Sequence, residues 1–460
     1  MAGGHQQDRT VYSDCDIAAP TASLSAVYLV AGVAARERRK VCTMDVPGAY
    51  LNANLKKEVF MHIEPKLAEL LDLMAPGVYG NFLRPDGSLV VKLKKALYGL
   101  GESAKLWYAK LTEDLKTLGF SVNPKDPCVL NRMVGQHQLT ICLYVDDIFS
   151  TCKDSAALKW LHEELCKLYG DVTYSDSPVL SYLGQTFDFS TEDKCKVTME
   201  RYVVDLHNLE QVNGFAATPA LENLFEIDGA SSLLSEDDKE HFHSVVAKLL
   251  FLAKRARPDL LTAVTFLTTR VSAATEEDDV KLGRVLKYLN STADLGMVLE
   301  GDGAMRVVAY VDASYAVHSD YKSHTGAVIK LGQGTAATKS SKQKINSKSS
   351  TEAEIIAVSD ALSQIIWVRD FLMAQGYEIG PALLMQDNKS GILMMNRGMS
   401  ISERTRPIGT RFFFVKDRIE AGEVELQYLP TEEMIADAMT KPLQGELFRK
   451  MRALLLNMGY

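Results

Sequence analysis

The sequence predicts a multidomain protein of mixed α/β and α+β class, and three observations point there. The chain has 460 residues, enough for two to four domains at about 100–200 residues each. In its first half, short apolar segments carry or run into acids: Val41 to Tyr50 holds the lone Asp45, and Leu139 to Val145 leads straight into Asp146-Asp147. From about residue 306 the pattern changes to strand, strand, strand, long helix, strand, as in a separate α/β domain.

Ser103 to Leu118 has the spacing of an amphipathic helix, and residues 89–99 read as a basic strand. Val129 to Val134 turns through Gly135-Gln-His-Gln138 into the strand that ends at Asp146. Residues 155–169 look helical, and 221–240 form a turn-rich acidic boundary. In the mainly helical stretch 241–290, Leu282, Val285, Leu286 and Leu289 recur at helical spacing, and Gly301-Asp-Gly303 punctuates the next boundary. Val307–Ala313, Thr325–Leu331 and Thr335–Lys339 are expected strands, and a helix begins near Ser350 with Ile355, Val358, Leu362 and Ile365 on its apolar face. Ala382–Met385 and Val424–Tyr428 are further strands, the second followed by a helical region holding Asp437.

Composition narrows the class. Hydrophobic residues make up 47% and charged residues 24% of the chain, which suits a soluble globular protein and not a disordered one. No apolar run approaches the ~18 residues of a spanning helix, and no membrane is expected as partner. The segment Met1 to Arg9 is polar and predicts no secretory signal. Seven cysteines, all before residue 196 and without a Cys-x-x-Cys pair, argue against a disulfide framework or zinc ribbon and for a reducing compartment. The net charge of −8 is unevenly placed: residues 303–460 carry 19 basic and 17 acidic side chains, and the rest carry 32 and 42. Acidity therefore does not exclude a polyanionic partner, because local basic patches can meet it and carboxylates can hold metal ions.

Adjacent carboxylates at the end of a buried strand repel one another and are poorly solvated. A divalent cation removes that difficulty, and Asp45 offers a third carboxylate; a solvated Asp-Asp turn is the plain alternative. The neighbours favour the metal. Tyr144-Val-Asp-Asp147 resembles the signature of reverse transcriptases. Met44-Asp-Val-Pro-Gly-Ala-Tyr-Leu-Asn-Ala53, Leu93-Lys-Lys-Ala-Leu-Tyr-Gly-Leu100, Lys105-Leu-Trp-Tyr108 and Tyr182-Leu-Gly184 resemble, in order, the blocks of copia-type LTR retrotransposon polyproteins. The resemblance implies that Asp45, Asp146 and Asp147 are polymerase metal ligands and that Tyr50 lies under the nucleotide sugar, where its ring would collide with a 2′-hydroxyl. A core aromatic is the alternative for Tyr50. It further implies that Tyr98 and Gly99 lie near the templating base pair and that Leu183 and Gly184 brace the primer end. Two departures predict a weak polymerase: no basic fingers strand precedes Val11, and Glu102 stands, near template phosphates, where the family has Gln.

A second set of acids lies downstream: Asp312, Glu354, Asp387 and Asp437. Tyr310-Val-Asp-Ala-Ser314 with His324-Thr-Gly326, Ser349-Ser-Thr-Glu-Ala-Glu354, Gln386-Asp-Asn388 and Ala436-Asp-Ala-Met-Thr-Lys441 resemble the ribonuclease H blocks of the same polyproteins. By that resemblance the four acids converge on two Mg²⁺ or Mn²⁺ ions, as the three upstream acids do at the polymerase site. The resemblance selects Glu354 over Glu352, because Ala-Glu is the family's catalytic pair; Glu352, two residues earlier, points ~160° away on a helix and would face solvent or cap it. The family's His between the third and fourth acids is missing, because Arg411-Phe-Phe-Phe-Val415 occupies that stretch. The basic runs Arg36–Lys40, Lys339–Lys344 and Arg404–Arg406 read as solvated charge or, for the last two, equally as phosphate contacts; Arg255 and Arg257 read as helix-end salt bridges or duplex contacts.

The expected organisation is reverse transcriptase (fingers, palm and primer grip) over 1–220, a helical thumb or connection region over 221–302 and a ribonuclease H-like α/β domain over 303–460. The expected partners are an RNA template, a DNA primer, deoxynucleoside triphosphates and an RNA–DNA hybrid, in a cytoplasmic retrotransposon particle with nuclear entry of the product DNA. A decayed or host-retained nucleic-acid-binding fragment, or a hybrid nuclease on an inert scaffold, are the rival readings.

Overall fold

The computed structural model describes residues 7, 10, 12–13, 17–300, 305–397 and 406–459. The boundary Gly301-Asp-Gly303 and the basic residue Arg404 lie outside them. The described residues form two compact units, one of residues 1–22, 42–122 and 127–175, the other of 23–41, 123–126 and 176–460. Residues 24–36 and 176–220, grouped by sequence with the first domain, lie in the second unit.

The first unit is built on strands β1 (Lys40–Asp45), β2 (Asn54–Ile63), β3 (Leu89–Lys95), β4 (Ser121–Asn123), β5 (Asp126–Val134), β6 (His137–Tyr144), β7 (Asp147–Cys152) and β8 (Thr173–Ser175). Six of them form one sheet in the order β4-β5-β6-β7-β1-β8, and β2 and β3 pair separately. The helix Ser103–Thr117 buries Trp107, Leu111 and Leu115 at four-residue spacing, the inward stripe of an amphipathic helix. The helix Ser155–Tyr169 buries Ala157, Leu158, Leu161 and Leu165, starts under the Asp154 carboxylate and stops at Gly170 with φ +87°.

In the second unit, the helix Leu24–Arg36 is buried on every face from Ala26 to Ala35, as its nearly uncharged sequence demands. Strands β9 (Val179–Tyr182), β10 (Gln185–Asp188), β11 (Lys194–Thr198) and β12 (Met297–Glu300) form an antiparallel sheet. Helices Glu236–Ala253, Leu261–Thr268, Glu276–Asn290 and Gly445–Leu456 share one apolar core that includes Phe242, Phe266, Tyr288 and Phe448. Arg257 lies wholly inside it, with its guanidinium 2.9 and 2.8 Å from the two Asp259 oxygens and 2.6 Å from the Thr292 carbonyl. That burial overturns the duplex-contact reading of Arg257 and supports the salt bridge.

The last sheet contains β13 (Val307–Ser314), β14 (His324–Leu331), β15 (Gly334–Lys342), β16 (Ala382–Gln386) and β17 (Val424–Tyr428). Its order is β15-β14-β13-β16-β17: the first three strands are antiparallel neighbours, and β13, β16 and β17 run parallel. The helix Ser350–Ala374 makes the crossover from β15 to β16, and helices Lys389–Arg397 and Arg406–Glu420 make the one from β16 to β17. The Phe412–Phe414 stretch sits on this last helix. A 3₁₀ turn, Ile435–Met439, replaces the expected helix around Asp437 and packs against β14. Gly326 permits this approach: a Cβ there would lie 2.6 Å from Thr440 Cγ2 and 2.9 Å from the Ala436 carbonyl.

The basic run before β1 is not a solvated loop throughout. Arg39 is buried and donates to Glu37 and, at 2.9 Å, to the Tyr377 hydroxyl. Arg38 and Lys40 are the exposed members, and Arg38 pairs with Asp193. In the other run, Lys342 pairs with Asp320 and Lys339 donates to the Asp360 carbonyl, so these two amines have protein partners.

Candidate metal centres

The first centre grows from a hairpin. Strands β6 and β7 pair down to Tyr144 opposite Asp147, leaving Val145-Asp146 as a two-residue turn. Val145 takes φ +60°, uncommon for a β-branched residue, and the Trp107 indole N–H donates to its carbonyl at 2.7 Å. Strand β1 lies beside β7 in the same sheet and ends at Asp45; the next residue, Val46, donates its N–H to the Asp146 carbonyl at 3.3 Å. Asp45 and Asp147 are pushed above the usual carboxylate range, first by burial and then by the charge of Asp146. These are the electrostatics of a site short of positive charge.

Tyr50 follows on a 3₁₀ turn, Ala49–Asn52, and is half-buried. Its ring lies on Tyr98, centroids 4.3 Å apart, and the Tyr98 hydroxyl donates to Asp146 Oδ2 at 3.0 Å. Burial and this bond push the Tyr98 hydroxyl up to about 12. Gly99 has φ +102°, a conformation that favours glycine and turns the chain toward the helix bearing Trp107. Tyr98 thus sits beside the acids, while its bond to Asp146 was not legible from spacing.

Glu102 is 4% exposed and accepts a bond from the Tyr12 hydroxyl at 3.1 Å. A carboxylate turned inward in this way does not present its charge to template phosphates, contrary to the expectation from sequence. Leu183 and Gly184 belong to the second unit, where both have positive φ (+53° and +73°) and form the two-residue turn between β9 and β10. Two left-handed residues in a tight hairpin make a type I′ turn.

The second centre draws on four separate elements. Asp312 is near the end of β13, Glu354 in the second turn of the helix Ser350–Ala374, Asp387 just after β16 and Asp437 in the 3₁₀ turn. Asp312, Glu354 and Asp387 each offer an oxygen within 4.8 Å of the others. Asp437 is not part of that group among the described residues. Burial, then Asp312 and Asp387, hold Glu354 well above the usual carboxylate range. Asp437 is pushed up to about 7 by burial and by Asp312, against the opposing pull of Lys441. Hard oxygen donors at this spacing suit a Mg²⁺ or Mn²⁺ ion, which would relieve both effects. A cleft of about 570 Å³ opens over the group, lined also by Asn388, Lys389, Tyr428 and Lys441.

Glu352 takes the alternative role. Its Oε2 accepts the Lys348 N–H at 2.7 Å, and its own N–H donates to Ser349 Oγ, so it closes the helix start. It is buried there rather than facing solvent. Gln386 is the positioning group that the residue types did not single out. Its Oε1 accepts the N–H groups of Asp387 and Asn388, and its Nε2 donates to Glu354 Oε2 at 3.2 Å. One buried amide therefore fixes two acids of the centre, and the signal for it was its place directly before Asp387.

Residues 1–221 match the family described as reverse transcriptase (RNA-dependent DNA polymerase). The retrovirus-related Pol polyprotein from transposon RE2 of Arabidopsis thaliana is 28% identical over 437 residues, 94% of this chain and 28% of that protein. The corresponding polyprotein from transposon TNT 1-94 of Nicotiana tabacum is 24% identical over 98% of this chain and 33% of its own length. The chain thus spans about a third or less of these two relatives. Among solved structures, LC11-RNase H1 is 19% identical over 30% of this chain and 94% of that one, with a TM-score of 0.24. A prototype foamy virus protease-reverse transcriptase is 14% identical over 94% and 48%, with a TM-score of 0.23. By sequence, this chain is similar along nearly its whole length to Pol polyproteins of copia-type transposons, and its residues 1–221 are similar to reverse transcriptases.

Proposed function

We propose that this relative of retrotransposon polyproteins copies RNA into DNA at Asp45, Asp146 and Asp147, and cuts the RNA strand of the resulting hybrid at Asp312, Glu354, Asp387 and Asp437. The observation that carries the reading is the convergence of Asp312, Glu354 and Asp387 from separate elements onto one oxygen cluster. Two Mg²⁺ or Mn²⁺ ions at each centre would activate the attacking oxygen and relieve charge on the phosphoryl group.

The chain's own residues prepare that chemistry. At the polymerase centre the hairpin presents Asp146 and Asp147 beside Asp45, and the Tyr98 hydroxyl holds Asp146. Tyr50 offers a ring to the deoxyribose of a nucleoside triphosphate, Tyr98 and Gly99 face the templating pair, and the Leu183-Gly184 turn braces the DNA primer. At the nuclease centre Gln386 orients Glu354. Lys389, whose amine lies 4.5 Å over the Tyr428 ring, gives the hybrid's backbone a cation at the edge of the cleft. The setting that fits is a cytoplasmic particle, with the product DNA passing to the nucleus.

The test uses the full chain, an RNA template with a DNA primer, and an RNA–DNA hybrid, each with Mg²⁺ and with EDTA. Asp146→Asn should abolish extension and leave cleavage; Asp387→Asn should do the reverse. Cleavage that persists in EDTA, or equal loss of both activities in each folded variant, would reject two metal-dependent centres. Binding of nucleic acid without either reaction would favour the decayed-fragment reading.

A further inference from the structure

We propose that Trp107 is a positioning residue: its indole N–H holds the central peptide of the Val145-Asp146 turn in one of two orientations and so aims the Asp146 carboxylate. The inference rests on the reading of Asp146 as a metal ligand of the polymerase centre.

A two-residue hairpin turn has two favoured forms. Both have positive φ at the first central residue, and they differ by a flip of the peptide between the central pair. In one form the second residue also takes positive φ; in the other it does not. Val145 has φ +60° and Asp146 does not take positive φ, so the turn is in the second form. That form favours glycine at its first position, where this chain has a β-branched valine. The competing form is open to the same sequence, because aspartate tolerates positive φ better than most residues. Local sequence therefore does not select the turn that is observed.

Trp107 supplies the selection. Its indole carries one polar group, the Nε1–H, and the side chain is buried, so that donor needs a protein acceptor. It takes the Val145 carbonyl, at 2.7 Å, which is one end of the flipping peptide. Turning the peptide over would swing the carbonyl away and leave the N–H buried without an acceptor. The ring is itself held in place. Tyr169 meets it edge-on, centroids 5.1 Å apart, and the Tyr169 hydroxyl donates to Asp114, which is on the Trp107 helix and pairs with Lys110 at 2.8 Å. The bond from the Val46 N–H to the Asp146 carbonyl belongs to the following peptide and does not fix the central one.

A flip changes φ at Asp146 and so redirects its side chain relative to Tyr98 and Asp45. With the peptide free to turn over, only a fraction of molecules would offer Asp146 to a metal ion, and the apparent metal affinity would fall by that fraction. Saturating metal would draw the population back. The signature is a raised metal requirement with the maximal rate retained.

The experiment replaces Trp107 in the full chain by 3-benzothienylalanine, which puts sulfur in place of the N–H and keeps the shape of the ring. The Mg²⁺ concentration for half-maximal primer extension on an RNA template should rise about tenfold. The kcat at saturating Mg²⁺ and the rate of hybrid cleavage should stay at the parent's values. Trp107→Phe should shift the Mg²⁺ requirement in the same direction. Leu111→Ala, at a buried position of the same helix that carries no donor, should lower Tm and leave the requirement unchanged. A benzothienyl protein with the parent's Mg²⁺ requirement would overturn the inference. So would a loss of kcat that saturating Mg²⁺ does not restore, or an equal shift in Leu111→Ala. If the benzothienyl protein does not fold, as judged by its melt, the contrast between Trp107→Phe and Leu111→Ala decides in the same way. A parent chain that extends no primer would instead reject the polymerase reading, and this inference with it.

Discussion

The Tyr98 hydroxyl reaches Asp146 Oδ2 across 3.0 Å. The bond ties an aromatic side chain to a carboxylate proposed to receive metal, and it fixes that carboxylate's orientation without an ion. Stacking of the same ring on Tyr50 makes the two tyrosines and the acid one mechanical unit.

Tyr98→Phe keeps the ring and removes the donor. A hydrogen bond to a charged group contributes roughly 1.5–3 kcal/mol, so the Mg²⁺ concentration for half-maximal primer extension should rise about ten- to hundredfold. Hybrid cleavage measured on the same preparation should not change. An unaltered Mg²⁺ requirement would mean that Asp146 is oriented without Tyr98.

Tyr50→Val tests the proposed place of this ring under the nucleotide sugar. Incorporation of ribonucleotides relative to deoxynucleotides should increase, measured as the ratio of kcat/KM for the two. An unchanged ratio would assign Tyr50 to packing against Tyr98 alone.

Glu352→Gln and Glu354→Gln should separate cleanly. Glu352 holds the helix start through the Lys348 N–H, so its loss should cost stability on the order of 1 kcal/mol and leave hybrid cleavage largely intact. Glu354 faces Asp312 and Asp387, so its loss should abolish cleavage. Thermal melts and cleavage assays on both variants check this, and a cleavage-dead Glu352→Gln would reverse the assignment.

The metal-free nuclease centre should lose stability as pH rises. Asp437 has its carboxyl raised to about 7, and Glu354 is raised as well. For a raised carboxyl the folded state binds the proton more tightly than the unfolded state, so the contribution is full below about pH 4 and is lost as pH climbs through 7. In EDTA, the Tm of the parent measured against Asp437→Asn should therefore fall between pH 5 and 8, and Mg²⁺ should reduce the fall. A parallel pH profile for the two proteins would refute the assignment.

Much of the fold could be read from local pattern. The helices Ser103–Thr117 and Ser155–Tyr169 begin and end close to where apolar spacing placed them, and the helix Ser350–Ala374 begins where it was expected. The strands around Asp312 and Asp387 do so too, because alternation and short apolar runs are properties of neighbouring residues. The helix Pro65–Met74 and the strand Asn54–Ile63 were not anticipated. Leu67, Leu70, Leu73 and Met74 are exposed there, so the apolar positions of that helix do not mark a buried face.

What the sequence determined by itself is the candidate chemistry: seven acids in two ordered sets, each in a recognisable block. Residue identity is covalent information and needs no fold to be read. Tertiary structure decided which atoms meet. It brought Asp312, Glu354 and Asp387 together while Lys441 took hold of Asp437, and it turned Glu102 inward to Tyr12. It also buried Arg257 against Asp259 and aimed the Tyr98 hydroxyl at Asp146. These outcomes depend on sheet order, on the glycine that lets the Asp437 turn press on β14, and on burial, which makes an unpaired charge costly and so selects each partner.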